Sequence, residues 1–145
     1  MSKKITLKLD EMIEAMENHN NYIKHYIDLE TGEIIFTADD YFIEDIENEN
    51  EIMINEEPER YCFIDPVDSD EAFKIMENFV HDISDKQIQD SFYKSIYRSK
   101  PFRHFKDTLS EHPELQSKYH DYHREHMNLL IEEWLEDKSI SADLI

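Results

Sequence analysis

Glycine and cysteine are almost absent from the sequence, and each shortage excludes a class of site. A single glycine, Gly32, occurs in 145 residues. The chain therefore has no glycine-rich phosphate loop and no dinucleotide-binding fingerprint, because both need several glycines. A single cysteine, Cys62, permits no intrachain disulfide and no Cys-x-x-Cys metal or redox pattern. We therefore expect a protein of a reducing compartment, the cytoplasm.

Long apolar runs and basic residues are scarce as well. No run approaches the roughly 20 apolar residues that span a bilayer, and Lys3 and Lys4 precede no apolar signal region. Lysine and arginine number 15 against 35 acidic residues, which gives a net charge of -20 and a pI of about 4.6. This balance disfavours general nucleic-acid binding and attachment to anionic membranes, since both depend on cationic side chains.

Large apolar side chains are nevertheless plentiful enough for a folded core. Hydrophobic residues make up 39% and aromatic residues 12% of the chain, more than disordered chains carry, and the length suits a single domain over residues 1–145. Strand-forming runs at 22–28 and 33–37 flank Gly32 and predict a β-hairpin whose turn needs a positive φ. Residues 60–64 predict a further strand, and alternation at 5–9 allows a short opening strand.

Helical signals dominate the remainder of the sequence. Apolar spacing predicts a helix from Leu9 to Met16, and four more helices are predicted between residues 68 and 138. Their starts are marked by capping boxes at Asp68-x-x-Glu71 and Ser84-x-x-Gln87 and by the prolines at 101 and 113. The last helix has its predicted apolar seam at Leu115, Tyr119, Tyr122, His126, Leu130 and Trp134, and residues 140–145 form a tail that docks or frays. The expected fold is α+β: a small antiparallel sheet with a β-hairpin packed against helices, and an all-helical C-terminal half.

Acidic residues are concentrated in one third of the chain. Residues 28–77 hold 18 acidic and 2 basic side chains, a net charge of -16. Within this third, residues 39–59 are dominated by Asp, Glu and Asn. Tyr41, Phe42, Ile43 and Ile46 allow a short helix, whereas residues 47–51 have nothing to bury and predict a mobile loop. The acidic segment predicts binding to a basic protein partner, because charge complementarity sets association rate and specificity.

One stretch, residues 99–109, is basic and aromatic at once. Phe102, Phe105 and Leu109 share one predicted apolar face of the helix that begins at the proline. Lys100, Arg103 and Lys106 form a second stripe with a spacing of three. Such a stripe beside a helix N-terminus suits a phosphate-bearing ligand or a nucleic acid. It also fits a solvated face that neutralises the protein's own acidic residues, and the sequence leaves both interpretations open.

Three histidines at helical spacing, His120, His123 and His126, are candidate metal ligands. Imidazole is a common ligand of zinc and nickel, but the i, i+3, i+6 spacing spreads the rings over about 120° of one helix, so a site would need a further ligand. Surface or packed histidines are the simpler interpretation, and no cofactor is expected. Cys62 has no histidine near it in sequence and predicts a small hydrophobe rather than a nucleophile.

Several motifs occur in an order that resembles a known bacterial family. They are LDEMIEAM (9–16), YIDLETGEI (26–34), RY (60–61) with IDP (64–66), MENF (76–79), FRHFKDTL (102–109) and WL (134–135). Together they resemble Uncharacterised Protein Family 0158 over about residues 9–135, and the longer segment at 39–59 is the departure. The resemblance implies a small single-domain bacterial protein. It implies no reaction, so no catalytic residue is carried over to this chain.

Three functions are open at the level of the sequence. The net charge favours a non-enzymatic, acidic cytoplasmic protein that binds a basic protein partner. The first alternative is binding of a phosphate ligand or nucleic acid by the stripe of Lys100, Arg103 and Lys106, and the second is a metal-assisted hydrolase that uses the region from His120 to His126. No two of the 35 acidic residues stand out as a general acid and base, so an enzyme is the less favoured class.

Overall fold

The chain divides into two compact units in the computed structural model, which describes residues 4–20, 22–38 and 45–145. The first unit comprises residues 1–67 and 128–145, and the second comprises residues 68–127. The first holds β1 (Ile5–Leu7), α1 (Leu9–Met16), β2 (Ile23–Asp28), β3 (Ile34–Ala38), α2 (Asp45–Glu56), β4 (Tyr61–Phe63) and β5 (Ala142–Leu144). The second holds α3 (Ser69–His81), α4 (Lys86–Ile96) and α5 (Pro101–Ser110), and α6 (Pro113–Asp137) begins in the second unit and ends in the first. The single domain stays a prediction.

The described strands form two small sheets, and together with the helices they confirm the α+β class. One sheet is antiparallel with the order β3-β2-β4, and its β2–β3 pair is the predicted hairpin. Gly32 has φ +80 in the hairpin turn, as the strand signals require, and its N–H donates to the Asp28 carbonyl at 2.8 Å. A Cβ at this position would lie 2.3 Å from the Thr6 carbonyl oxygen. The turn therefore excludes a side chain both by its dihedral angle and by a close backbone neighbour.

The second sheet corrects the expectation of an all-helical C-terminal half. Residues 142–144 form β5, which pairs in parallel with β1, so that Ile5 lies opposite Ala142 and Leu7 opposite Leu144. The Ile5 N–H donates to the Ser141 carbonyl and the Ile145 N–H donates to the Leu7 carbonyl, at 3.0 and 2.9 Å. The apolar tail therefore docks, because β1 offers it backbone partners that a frayed tail would leave to water.

Helix α2 corrects the mobile loop that was expected at residues 47–51. The helix runs from Asp45 to Glu56 and packs on β3. The Asn50 side-chain amide donates to the Phe36 carbonyl at 3.0 Å, and Asn50 and Ile54 are half-buried. The loop prediction failed because a helix that packs on a neighbouring strand needs only a few inward-facing residues, here Asn50 and Ile54 against β3. The prediction of a short helix involving Tyr41, Phe42 and Ile43 lies outside the described residues.

The second unit is a helical cluster around aromatic side chains. Its fully or nearly fully buried members are Met76, Phe79, Val80, Ile83, Phe92, Ile96, Phe105 and Leu109. Asp68 caps α3 by accepting from the Asp70 N–H at 3.2 Å. Helix α4 is capped by Asp85, which accepts from the N–H groups of Gln87 and Ile88 at 2.9 and 3.2 Å. The predicted cap at Ser84 was thus wrong by one residue.

Two predicted apolar faces are shifted. Phe105 and Leu109 are buried as predicted, but Phe102 is 42% exposed because it lies in the first turn of α5. On α6, Leu115, Tyr119 and Tyr122 are half-buried against the aromatic cluster, whereas further along the helix the buried residues are Met127, Ile131 and Leu135. The seam drifts from the predicted Leu130 and Trp134, as a straight helix does relative to a fixed spacing of side chains.

Candidate interaction surfaces

The outward side of α2 combines apolar and acidic side chains. Glu49, Ile52, Met53 and Glu56 recur at i, i+3, i+4 and i+7, so they share one face of the helix. Ile52 is 56% exposed and Met53 is 42% exposed, and both glutamates are exposed. We call these four residues the α2 face. It places two uncovered apolar side chains between two carboxylates.

The sequence of α2 and of the residues that flank it carries charge of one sign. Helix α2 contains five acidic residues and no lysine or arginine, and residues 39–59 contain ten acidic residues and no basic one. The first unit as a whole carries 23 acidic and 6 basic residues, a net charge of -17, whereas the second carries 12 and 9, a net charge of -3. Nearly all of the charge imbalance therefore belongs to the unit that contains α2.

A network of ion pairs around Arg60 connects the chain after α2 to the hairpin turn. The Arg60 guanidinium donates to both oxygens of the buried Asp28 carboxylate, at 3.0 Å from Nε and 2.8 Å from Nη2. Its Nη1 lies 3.3 Å from Glu30 and 3.4 Å from Glu57. The Leu29 N–H donates to the Arg60 carbonyl at 2.8 Å. The bidentate pair with Asp28, together with the contacts to Glu30 and Glu57, fixes the hairpin turn relative to β4.

The electrostatics of this network favour the fully ionised state. Burial raises the pKa of the Asp28 carboxyl, but hydrogen bonds from Arg60, from the Glu30 N–H and from Thr31, with the Arg60 charge, outweigh it and leave the pKa below its ordinary value. The Asp28 hydrogen bond is also the main reason why the pKa of Arg60 is raised. Every member of the network has a partner, so the arrangement stabilises the fold.

The predicted basic stripe lies on exposed positions of the second unit. Lys100, Arg103 and Lys106 are all exposed, and Lys100 is the N-cap of α5 with φ 55 and no side-chain capping bond. The stripe belongs to a longer basic stretch, since residues 91–106 contain five lysines and arginines and no acidic residue. What the stripe binds stays a prediction.

An exposed tyrosine, which sequence reasoning missed, adjoins this stretch. Tyr97 is 58% exposed, and its ring stacks on Tyr93 with centroids 5.6 Å apart and an interplanar angle of 4°. Its hydroxyl donates to Glu77 at 2.6 Å, which raises the pKa of Tyr97 to about 12. The only hint in the sequence is its position one residue before Arg98, directly after the last buried residue of α4.

The histidines proposed as metal ligands are packed or exposed side chains. The His123 ring stacks on Tyr119 with a centroid distance of 5.7 Å, and the His126 ring lies 4.3 Å from that of Tyr122. His120 is exposed. Within residues 4–20, 22–38 and 45–145, no three His, Cys, Asp or Glu side chains come together as a metal site. The role of these histidines as metal ligands stays a prediction.

Asp65, which belongs to the IDP motif, and Cys62 both lie in structural surroundings. Asp65 accepts from the Trp134 indole N–H at 2.9 Å and lies 3.4 Å from the Lys138 ammonium, so it holds the end of α6. Cys62 is half-buried in β4, and burial raises the pKa of its thiol. A raised thiol pKa disfavours the thiolate, so Cys62 is a poor nucleophile, in agreement with the interpretation from sequence.

An open cavity of about 640 Å³ lies between α6 and β5 in the first unit. Its walls include Glu132 and Glu136 from α6, and the Lys4 ammonium pairs with Asp143 at 3.0 Å at its edge. No sequence signal indicates this cavity, because the cavity depends on the docking of β5. Its rim is acidic. Among the described helices, none is long and apolar enough to cross a membrane.

The Asp28–Arg60 pair was also missed, although a sequence signal for it exists. Arg60 is the one basic residue between Lys24 and Lys74, within the most acidic third of the chain. A lone cation in such surroundings will have a carboxylate partner, and Asp28 directly precedes the predicted turn. The pairing brings together two of the motifs that resemble the known family, YIDLETGEI and RY.

Comparison with known proteins agrees with that resemblance. The chain is 28% identical to a UPF0158 protein of Pseudomonas aeruginosa over 136 residues, which cover 94% of this chain and 85% of the relative. It is 26% identical to UPF0158 proteins of Chlamydia muridarum and of Chlamydia trachomatis over 90% of this chain, but spans only 40% of their length. No solved structure gives a significant match. The family model described as Uncharacterised protein family (UPF0158) matches residues 2–144, and the chain therefore belongs to this bacterial family of uncharacterised function.

Proposed function

We propose that the protein is a non-enzymatic interaction module that binds a basic protein partner through the α2 face. The observation that carries this proposal is the pair Ile52 and Met53, 56% and 42% exposed between Glu49 and Glu56 on one helix face. Exposed apolar side chains rimmed by charged ones are typical of protein-binding sites. A glutamate at each end would select a partner whose lysines or arginines flank its own apolar residues.

The partner class follows from charge and from the shape of the site. An amphipathic helix or an extended segment can cover an apolar pair on a convex helix, and basic residues beside it would meet the glutamates. A second copy of this chain is a poor occupant, because two molecules with a net charge of -20 repel each other. The partner that we propose is therefore a basic, amphipathic segment of a different protein.

The support of α2 favours binding without a large rearrangement. The Asn50 amide attaches the helix to β3 at 3.0 Å, and the network of Arg60, Glu57 and Asp28 holds the chain that follows it. A helix fixed on both sides presents its outer face in one orientation, which lowers the ordering cost of association.

The test begins with capture of partners from the bacterium that encodes the protein, followed by binding measurements with the purified partner. Isothermal titration would compare the wild type with the double variant Ile52→Ser/Met53→Ser. The matched control is Leu129→Ser, since Leu129 on α6 is also apolar and 53% exposed. We expect the double variant to weaken binding at least about tenfold, the usual size for loss of a central apolar contact, and the control to bind normally.

The charge component is tested separately with Glu49→Gln/Glu56→Gln. We expect slower association and a weaker dependence of the association rate on salt, because rim charges act mainly on encounter. Equal binding by all variants would show that the partner uses another surface and would overturn the proposal. A captured partner that is acidic would overturn it as well.

A further inference from the structure

We propose that the second unit binds single-stranded nucleic acid on a basic aromatic surface where α4 meets α5. The surface, called the α4–α5 surface below, consists of Tyr97, Arg98, Lys100, Phe102, Arg103 and Lys106. The inference does not rest on the proposed function, because it concerns other residues in the other unit. It proposes one ligand class for the basic stripe and names the aromatic side chains that would stack on the bases of that ligand.

The first step concerns what the cations of this stretch already contact. Residues 91–106 hold five of the fifteen lysines and arginines of the chain and no acidic residue. None of the ion pairs within 4.0 Å that join described residues engages any of these five cations. Among the described residues, the stripe therefore makes no direct ion pair with the protein's own carboxylates. Its charges are available to an external anion.

The second step concerns the aromatic rings. Tyr97 is 58% exposed yet held by three contacts: a stack on Tyr93, the Phe73 ring at 6.3 Å and a hydrogen bond to Glu77. Phe102, four residues beyond Arg98, is 42% exposed on α5. A fixed, exposed ring can stack on a base with little loss of conformational entropy. Exposed rings with cationic side chains nearby are therefore the second observation in favour of a ligand.

The third step selects the ligand class. Stacking needs bases that are not paired, whereas a duplex hides their faces, so the rings favour a single strand. The helical cations from Lys100 to Lys106 extend over about 9 Å at 1.5 Å per residue, more than one phosphate occupies. Two exposed rings with several cations nearby in the chain suit the bases and phosphates of a polymer better than one mononucleotide.

The net charge of -20 opposes this binding but does not forbid it. At about 0.1 M salt the screening length is about 10 Å, so carboxylates farther away than this contribute little repulsion. The second unit carries a net charge of only -3. Measurements therefore belong at this ionic strength or above it, where local contacts decide affinity.

The experiment is fluorescence anisotropy of the full chain with a labelled single-stranded oligonucleotide of mixed sequence, about 12 nucleotides long to match common site sizes. The same sequence as a duplex and a labelled mononucleotide serve as comparison ligands. We expect the single strand to bind at least about tenfold more tightly than either. Affinity should fall as salt rises from about 0.1 M to about 0.3 M, since bound phosphates release counterions.

Two pairs of variants separate the components. Arg103→Gln/Lys106→Gln should weaken binding and reduce the slope of log K against log salt by about 1.4, at about 0.7 for each lost phosphate contact. The control pair Lys86→Gln/Lys118→Gln removes two exposed charges of the same unit outside the surface and should change nothing. Tyr97→Ala should weaken binding about tenfold, whereas Tyr97→Phe keeps the ring, loses the Glu77 hydrogen bond and should retain binding.

Four results would overturn the proposal. They are no binding of the single strand, equal affinity for the duplex or mononucleotide, an equal loss in the control pair, and a Tyr97→Phe variant as weak as Tyr97→Ala. The last result would mean that Tyr97 acts through its bond to Glu77 and not as a stacking surface. Should Tyr97→Ala fail to fold by circular dichroism, the arginine and lysine variants still decide the question.

Discussion

The first unit carries a net charge of -17 and contains all the described strands, whereas the second carries -3 and is entirely helical in the residues described. The two units also differ in how they are held together. The first relies on backbone pairing, a tight glycine turn and the ion pairs of Arg60. The second relies on interlocking aromatic rings, among which Phe79, Phe105 and Tyr119 meet edge to face at 4.8 to 6.5 Å.

The difference suggests how a strongly acidic chain can still fold. Carboxylates at high density repel one another and favour extended chain. The first unit tolerates them because its strands fix the backbone with hydrogen bonds that do not depend on side-chain charge. The second unit has few excess charges and depends mainly on aromatic packing. Substitutions can break this contrast in four ways.

The largest effect is expected in the second unit, for Phe92→Ala. Phe92 is fully buried and its ring contacts those of Phe105 and His112 at 5.5 and 5.7 Å. Removing it should lower the free energy of unfolding by about 3–5 kcal/mol, as for other buried phenylalanines. The control is Phe102→Ala, which is 42% exposed and should change stability by less than about 0.5 kcal/mol. Urea denaturation followed by far-ultraviolet circular dichroism checks both, and similar costs would contradict the assigned core.

The next effect is expected in the first unit, for Gly32→Val. The residue has φ +80, and a Cβ there would meet the Thr6 carbonyl oxygen at 2.3 Å. Backbone strain and the clash together should cost more than about 2 kcal/mol. The reverse substitution, Ser139→Gly, relieves a positive φ of 58 in the same unit and should not destabilise. Thermal denaturation distinguishes the two, and an unchanged midpoint for Gly32→Val would contradict the turn geometry.

A smaller effect is expected for Asp28→Asn, which removes the bidentate partner of Arg60. The Asp28 side chain is 5% exposed and that of Arg60 is 27% exposed. Arg60 keeps Glu30 and Glu57, so we expect a loss of about 2–3 kcal/mol, less than for a fully buried pair. Asp143→Asn is the control, because its pair with Lys4 is about 60% exposed on both sides and should contribute almost nothing. Equal urea midpoints for the two variants would contradict the central role of Asp28.

The same pair predicts a pH dependence. The folded-state pKa of Asp28 lies below its ordinary value of 3.8, so its ionised form stabilises the folded state. That contribution is fully present above about 3.8 and is lost as the pH falls through the lower, folded-state pKa. The stability difference between wild type and Asp28→Asn should therefore shrink as the pH is lowered from about 5 to about 3. A difference that grew on acidification would reverse the assigned sign.

The smallest effect is expected for the N-cap of α4. Asp85→Ala removes two hydrogen bonds to the first turn, at 2.9 and 3.2 Å, and should cost about 1 kcal/mol. Ser84→Ala is the matched control and should be nearly neutral, since the structure places the cap one residue later. The opposite order of the two midpoints would restore the capping box predicted from the sequence.

Local signals in the sequence predicted the local structure well. Gly32 and its flanking β-formers predicted the hairpin because one residue sets the turn, and prolines 101 and 113 predicted the starts of α5 and α6 because φ is fixed by the ring. The Asp28–Arg60 pair joins residues 32 positions apart, and no periodicity reports such a contact. The sequence did not predict strand β5 for the same reason, because three residues carry too weak a signal when their pairing partner, β1, is distant in the chain.

The candidate surfaces were predicted only in part. Lys100, Arg103 and Lys106 could be identified because charge spacing on a helix is visible in the sequence. The exposure of Ile52, Met53 and Tyr97 could not, since apolar residues are assigned to a core by default, and which of them stay uncovered depends on packing. The acidic segment was recognised, but its helix was not, because acidic residues predict a solvated chain equally well as a helix surface.

The parallel pairing of β1 with β5 has a consequence for how the protein is made. Residue 5 acquires its strand partner only when residue 142 has been synthesised. The first unit therefore stays incomplete, without the β1–β5 pair, until the end of this stretch has been made. The second unit is continuous in sequence and can fold as soon as α6 emerges. Synthesis therefore sets an order in which the helical unit forms before the sheet closes.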